Sequence, residues 1–298
     1  MAVAALFDID GTLIACNSAP LYMKHLRRRG AARRRDILRT LYYVARYRMG
    51  LLDIERATAV SLAWIRGRDE AAVRADCEEW YARVIRPFVF PAMAATVEAH
   101  RDAGHELAIL TSATRYLAEP LAVDLGIAHV LVTQLVVRDG RFTGEAVRPV
   151  CYGEGKIHWA ERFAAARGVD LRRSYFYTDS ITDLPVLERV GEPRVVNPDL
   201  RLRRVAQRRG WPVLNLRLEE TTTPRGREMA DRRRRRRTPP RRGLIAPLVM
   251  LASGMAVGVF LWRLLMLDGV PTGRLPEQLS HHDRQALQQL LDEGHARP

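Results

Sequence analysis

Two carboxylates, Asp8 and Asp10, stand two residues apart directly after an apolar run from Val3 to Phe7. The run reads as a buried strand, and period-two alternation puts both Asp side chains on one side if the strand continues. Gly11 lets the backbone turn and approach an anionic ligand closely. Crowded carboxylates repel each other unless a cation sits between them, so the pair predicts either a bound divalent ion or one raised pKa. Taken alone, an Asp-rich turn at a strand end explains these residues equally well. The choice falls to the rest of the chain.

Further polar clusters follow strand-like runs. Glu106 to Leu110 leads into Thr111, a Gly-Glu-Gly-Lys loop carries Lys156, and Ser174 to Thr178 opens into Asp179 and Asp183. Between them the pattern predicts a helix from Pro91 to Ala103, one ending at Gly126 and one ending near Arg167. Runs from Val130 to Val137 and Arg141 to Glu145 flank Arg138-Asp139-Gly140, a hairpin signal, and a last strand is expected at Arg194 to Asn197. Strands alternating with helices argue for an α/β fold with a Rossmann-like parallel sheet, whose ligands sit at the carboxyl ends of the strands. Residues 15–87 instead show helical spacing, with Asp36 and Asp69 as helix starts and Gly50, Gly67 and Pro87 as stops. This divides the chain into a core of residues 1–14 and 88–218 and an inserted all-helical cap of residues 15–87.

The 298 residues carry a net charge of +14, unevenly placed. Lys24 to Arg35 holds seven basic residues and no acid, and Pro224 to Arg242 holds ten Arg against Glu228 and Asp231. The basicity is local, and the body is near neutral. Cys16, Cys77 and Cys151 form no CxxC pair, which argues for reduced thiols rather than a disulfide scaffold or zinc site. The scattered His25, His100, His105, His129 and His158 lack metal-ligand spacing and read as structural or surface residues.

Beyond residue 218 the globular pattern fails. Residues 219–242 read as an Arg-rich linker, and residues 243–267 as a transmembrane helix, since Gly243 to Trp262 carries no charge over a length that crosses about 30 Å of hydrocarbon. The positive flank predicts a single-pass cell-membrane protein with residues 1–218 cytoplasmic and residues 268–298 as a tail on the other face. Gly254 and Gly258 have the spacing by which helices pair, a weak signal for a homodimer.

Asp8-Ile9-Asp10-Gly11-Thr12, Thr111, Lys156, and Asp179 with Asp183 occur in the order found in the haloacid dehalogenase superfamily of phosphatases, which the chain resembles over residues 1–215. Thr111 to Pro120, Cys151 to Lys156 and Tyr177 to Pro185 resemble the subfamily IB branch, which is phosphoserine-phosphatase-like and phosphatidylglycerophosphatase-like. The resemblance implies that Asp8 attacks phosphorus to form an aspartyl-phosphate and that Asp10 serves as acid and base. It also implies Mg²⁺ held by the Asp8 side chain, the Asp10 carbonyl and Asp179, with Thr111 and Lys156 on the phosphoryl oxygens and Asp183, Gly11 and Thr12 in support. At the position where phosphoserine phosphatases read the substrate amine with a Glu stands Asn17, which weakens an amino-acid assignment. The membrane segment and basic clusters then point to a lipid phosphate of the phosphatidylglycerophosphate or lysophosphatidate type. The alternative is a small soluble metabolite such as phosphoserine. A third reading, an inactive membrane-anchored polyanion binder, has the apolar run directly after Arg242 against it where the polyanion is a nucleic acid.

Overall fold

The computed structural model describes residues 1–30, 42, 58, 59, 62 and 65–217. The expected linker, transmembrane helix and tail, and the cap signals at Asp36 and Gly50, lie outside the described residues. The chain opens with β1 (Ala4–Phe7), followed by α1 (Ser18–Arg28), α2 (Glu70–Trp80) and α3 (Pro91–Asp102). Next come β2 (Glu106–Thr114), α4 (Arg115–Leu125), β3 (His129–Thr133), β4 (Leu135–Arg138) and β5 (Arg141–Ala146). The last elements are α5 (Glu154–Arg167), β6 (Tyr175–Thr178), α6 (Leu184–Leu187), β7 (Glu192–Val196), α7 (Leu200–Arg209) and β8 (Val213–Leu214).

Six strands form one parallel sheet in the order β3-β2-β1-β6-β7-β8. Because side chains alternate across a strand, the apolar runs feed two cores rather than one. Phe7, Ile109 and Tyr177 face Met93 and Val97 of α3 and Leu117 and Leu121 of α4. Leu6, Leu110 and Phe176 face Trp159 and Phe163 of α5, Val186 of α6 and Leu202 of α7. The α/β expectation holds.

Two local expectations need correction. The run from Val130 to Val137 divides at Gln134: β3 joins the main sheet beside β2, while β4 pairs antiparallel with β5 around Asp139 and Gly140. One unbroken strand cannot serve a parallel and an antiparallel partner in different sheets. The Gly153–Lys156 loop is shorter than expected, because α5 begins at Glu154 and already contains Lys156. Gly155 permits this close packing: a Cβ there would lie 2.0 Å from the Val150 carbonyl oxygen.

The inserted segment leaves and re-enters the core side by side. Ala15 N–H donates to the Phe88 carbonyl at 2.8 Å and Phe90 N–H to the Leu13 carbonyl at 3.0 Å, which makes a short paired stalk. The β4–β5 hairpin reaches the start of α2, where Glu70 N–H donates to the Gly140 carbonyl and Phe142 N–H to that of Arg68. Asp69, the expected helix start, caps α2 by accepting from Ala72 N–H.

On α3, His100 is 1% exposed. Its Nδ1 lies 2.8 Å from His105 Nδ1, and its Nε2 lies 2.8 Å from the Tyr177 hydroxyl. Burial, reinforced by His105 and Arg194, pushes its pKa down from 6.5 to about 3. Below pH 6.5 the unfolded chain therefore takes a proton that the folded chain refuses, and stability is lost as pH falls toward 3. The expected slope from this group is at most about 1.4 kcal/mol per pH unit. Urea unfolding at pH 7 and pH 5 should show a larger loss in the wild type than in His100→Gln.

Candidate active site

The neighbours of β1 set the level of every group at its end. Phe7 is in register with Ile109 of β2 and Tyr177 of β6, so Asp8 lies one step further, level with Leu110 and Thr178. Lys156 arrives from the first turn of α5 with its ammonium 3.0 Å from Asp8 Oδ1 and 2.7 Å from Asp183 Oδ2. Asp183 Oδ2 also accepts the Thr178 hydroxyl at 2.6 Å. Lys156 is 2% exposed and Asp183 1%. Burial alone would lower the Lys156 pKa, but Asp183 and Asp8 on its two sides raise it above the ordinary lysine value. The ammonium stays charged between them.

Asp10 faces differently. Ser18 N–H donates to its Oδ1 at 2.9 Å and the Ser18 hydroxyl to its Oδ2 at 3.0 Å. Burial pushes its pKa up to about 6, against the Ser18 backbone bond and with the charge of Asp8. Asp179 packs onto Gly11 so closely that a Cβ at Gly11, whose φ is +74°, would lie 2.2 Å from Asp179 Oδ2. Burial first, then Asp8, Asp183 and Asp10, push the Asp179 pKa up to about 8. Asp199 pins this acidic loop. Its N–H donates to the Asp179 carbonyl at 2.9 Å, and its carboxylate accepts Ile181 N–H at 2.9 Å while capping α7.

Among the described residues, no Lys or Arg forms an ion pair with Asp179 or Asp10. Asp8, Asp10, Asp179 and Asp183 thus share the charge of one ammonium, which pairs directly only with Asp8 and Asp183. An oxygen-only donor set with surplus negative charge fits a hard divalent cation. No three His, Cys, Asp or Glu side chains converge as a closed metal cage among the described residues. Ser18 engages both oxygens of Asp10, so the carboxylates of Asp8 and Asp179 are the donors left to fit such an ion, and the Asp10 backbone carbonyl is the third donor that the family resemblance implies.

The remaining expected residues are placed less centrally. Thr111 is buried inside β2, which runs past it to Thr114, and its hydroxyl accepts Ala113 N–H at 3.3 Å. Thr12 is fully buried, and its hydroxyl has no hydrogen-bond partner among the described residues. Asn17 is exposed and caps α1, accepting Ala19 N–H at 3.2 Å. Sequence reasoning missed Ser18, Thr178 and Asp199. Only Asp199 carried a signal, because Asn-Pro-Asp before a periodic run marks a helix start. Burial pushes the nearby thiols of Cys16 and Cys151 up to about 12, which leaves them protonated and poor nucleophiles.

The model of haloacid dehalogenase-like hydrolases matches residues 5–188. The chain belongs to the haloacid dehalogenase-like hydrolases. Within that family, a probable phosphatase of Mycobacterium tuberculosis H37Rv is 37% identical over 71% of this chain and 75% of its own. A phosphoserine phosphatase of the same strain is 33% identical over 73% of this chain and 72% of its own. A histidinol-phosphatase of Neisseria meningitidis serogroup C is 33% identical over 72% of this chain and 98% of its own. Among solved structures, a Bordetella pertussis protein of unknown function is 33% identical with a TM-score of 0.67, over 72% of this chain and 99% of that one.

Lys156→Met removes the cation from between two buried carboxylates. An uncompensated buried charge predicts a loss of about 3–5 kcal/mol in urea unfolding at pH 7.

Proposed function

We propose that the protein hydrolyses phosphate monoesters of small soluble alcohols through a phospho-aspartyl enzyme formed on Asp8. The observation that carries this reading is the separation of the two carboxylates, with Asp8 against the Lys156 ammonium and Asp10 on neutral Ser18 donors. Asp8 attacks phosphorus, and the bond from phosphorus to the alcohol oxygen breaks. The alcohol oxygen keeps the electron pair and takes the proton of Asp10. Asp10 then removes a proton from water, whose oxygen displaces Asp8 from phosphorus and releases phosphate. Lys156 and Thr111 hold phosphoryl oxygens, Asp183 and Thr178 hold Lys156, and Gly11 and Thr12 shape the turn beneath. Asp8, Asp179 and the Asp10 carbonyl would hold Mg²⁺, which would supply positive charge against the phosphoryl oxygens.

The relatives named for a substrate act on small esters, phosphoserine and histidinol phosphate, so a soluble metabolite is preferred here over the lipid phosphate expected from the sequence. Since Asn17 caps α1, recognition of a substrate ammonium falls to another residue. The lipid reading keeps its sequence supports, the basic clusters and the uncharged run from Gly243 to Trp262. The same run carries our proposal that residues 243–267 anchor the enzyme in the cell membrane with its catalytic domain cytoplasmic. Among the described residues, no helix is long and apolar enough to cross a membrane.

A panel of phosphoserine, histidinol phosphate and micellar lysophosphatidate, with Mg²⁺ or with EDTA, tests the substrate class. Small esters should turn over faster, EDTA should abolish turnover, and Asp8→Asn should lower it by about three orders of magnitude or more while folding normally. Faster turnover of lysophosphatidate would reverse the preference. Fractionation of cells expressing a chain lacking residues 243–298 should show it soluble where the full chain is membrane-bound.

A further inference from the structure

Both oxygens of Asp10 are held by a single residue. Ser18 supplies its backbone N–H at 2.9 Å to one and its hydroxyl at 3.0 Å to the other. Ser18 is 2% exposed and is the first residue of α1, with Asn17 capping the helix before it. Two donors on one rigid helix start fix the plane of a carboxylate as well as its place, which a single hydrogen bond leaves free. The helix lies immediately beyond the stalk formed by Leu13 and Ala15 with Phe88 and Phe90, so it is the first element of the inserted segment. The group that moves the proton therefore belongs to the core, and its clamp belongs to the insertion.

We propose that Ser18 is a positioning residue for proton transfer by Asp10, so that the seating of α1 on the core sets how well the leaving alcohol is protonated. The inference rests on the phospho-aspartyl reading above. When the bond between phosphorus and the leaving oxygen breaks, the electron pair stays on that oxygen and the Asp10 proton neutralises it. With the carboxyl group turned away, the oxygen must depart as an anion. A nitrophenol tolerates this departure and an alkyl alcohol does not, so loss of the clamp should be felt in proportion to the leaving-group pKa. A merely structural role for Ser18 would slow every substrate alike.

The test uses the full chain with Mg²⁺ and rapid-quench measurement of the first turnover, which isolates alcohol release from the later attack of water. Wild type, Ser18→Ala and Ser18→Thr are compared on O-phosphoserine, phenyl phosphate and 4-nitrophenyl phosphate. Ser18→Ala should slow the alkyl ester by about ten- to a hundredfold, a part of the roughly hundred- to ten-thousandfold that general acid catalysis contributes, and 4-nitrophenyl phosphate only slightly. Ser18→Thr, which keeps the hydroxyl, should restore the wild-type dependence. An equal loss on all three esters, or no loss, overturns the proposal. If thermal melts show that Ser18→Ala does not fold, Ser18→Cys, with its weaker donor, is read by the same criterion. A wild type inert to all three esters would instead remove the small-ester reading and this inference with it.

Discussion

The ammonium of Lys156, buried between Asp8 and Asp183, is the interaction on which the rest of the site depends. Removing three charges from water costs several kcal/mol per ion, and only close, well-directed pairing offsets it. The partners come from residues 8, 156 and 183, so the pairing requires β1, the start of α5 and the loop after β6 to converge at one point. Thr178 adds a hydroxyl to Asp183, and Asp8 takes the other ion pair of Lys156. Asp183 is thereby tied to holding Lys156, and Asp8 keeps one oxygen outside the pair.

Two identical side chains two residues apart acquire different characters from these surroundings. Asp8 sees a cation, whereas Asp10 sees an amide and a hydroxyl, and burial pushes Asp10 up to about 6. A carboxyl group in that range exchanges protons near neutral pH, as an acid and base must. Asp179 is pushed further, to about 8, because burial and the charges of Asp8, Asp183 and Asp10 outweigh the opposing charge of Lys156. The surplus of negative charge around Gly11 is the physical basis for reading a divalent cation into the site, and it stands independently of family likeness.

The insertion is joined to the core by more than its two chain crossings. The β4–β5 hairpin extends from the core to the start of α2, where Phe142 packs with Val73, Cys77 and Tyr116. The core therefore grips the insertion at the stalk, at the hairpin, at Ser18 and along α4, where Glu119 pairs with Arg74 and Asp124 accepts the Tyr81 hydroxyl. Of these contacts, only Ser18 touches a residue with a proposed chemical role.

Much of the fold was legible from one-dimensional patterns. Apolar runs followed by polar ends marked β1, β2, β6 and β7, and Asp69 and Gly126 marked a helix start and stop that the structure keeps. These features are local, because propensity and period act within a few residues. The division of the run at Gln134 was not legible, since which strand pairs with which is decided by partners distant in the chain. The order of Asp8, Asp10, Thr111, Lys156, Asp179 and Asp183 carried the resemblance to a family, and the class of chemistry came with that resemblance, which the match over residues 5–188 bears out. Only the tertiary structure decided that Lys156 joins Asp8 to Asp183, that Asp10 turns to Ser18, that Asp179 lies on Gly11 and that Asn17 caps a helix. Each is a matter of direction and distance between side chains, and a linear sequence carries neither.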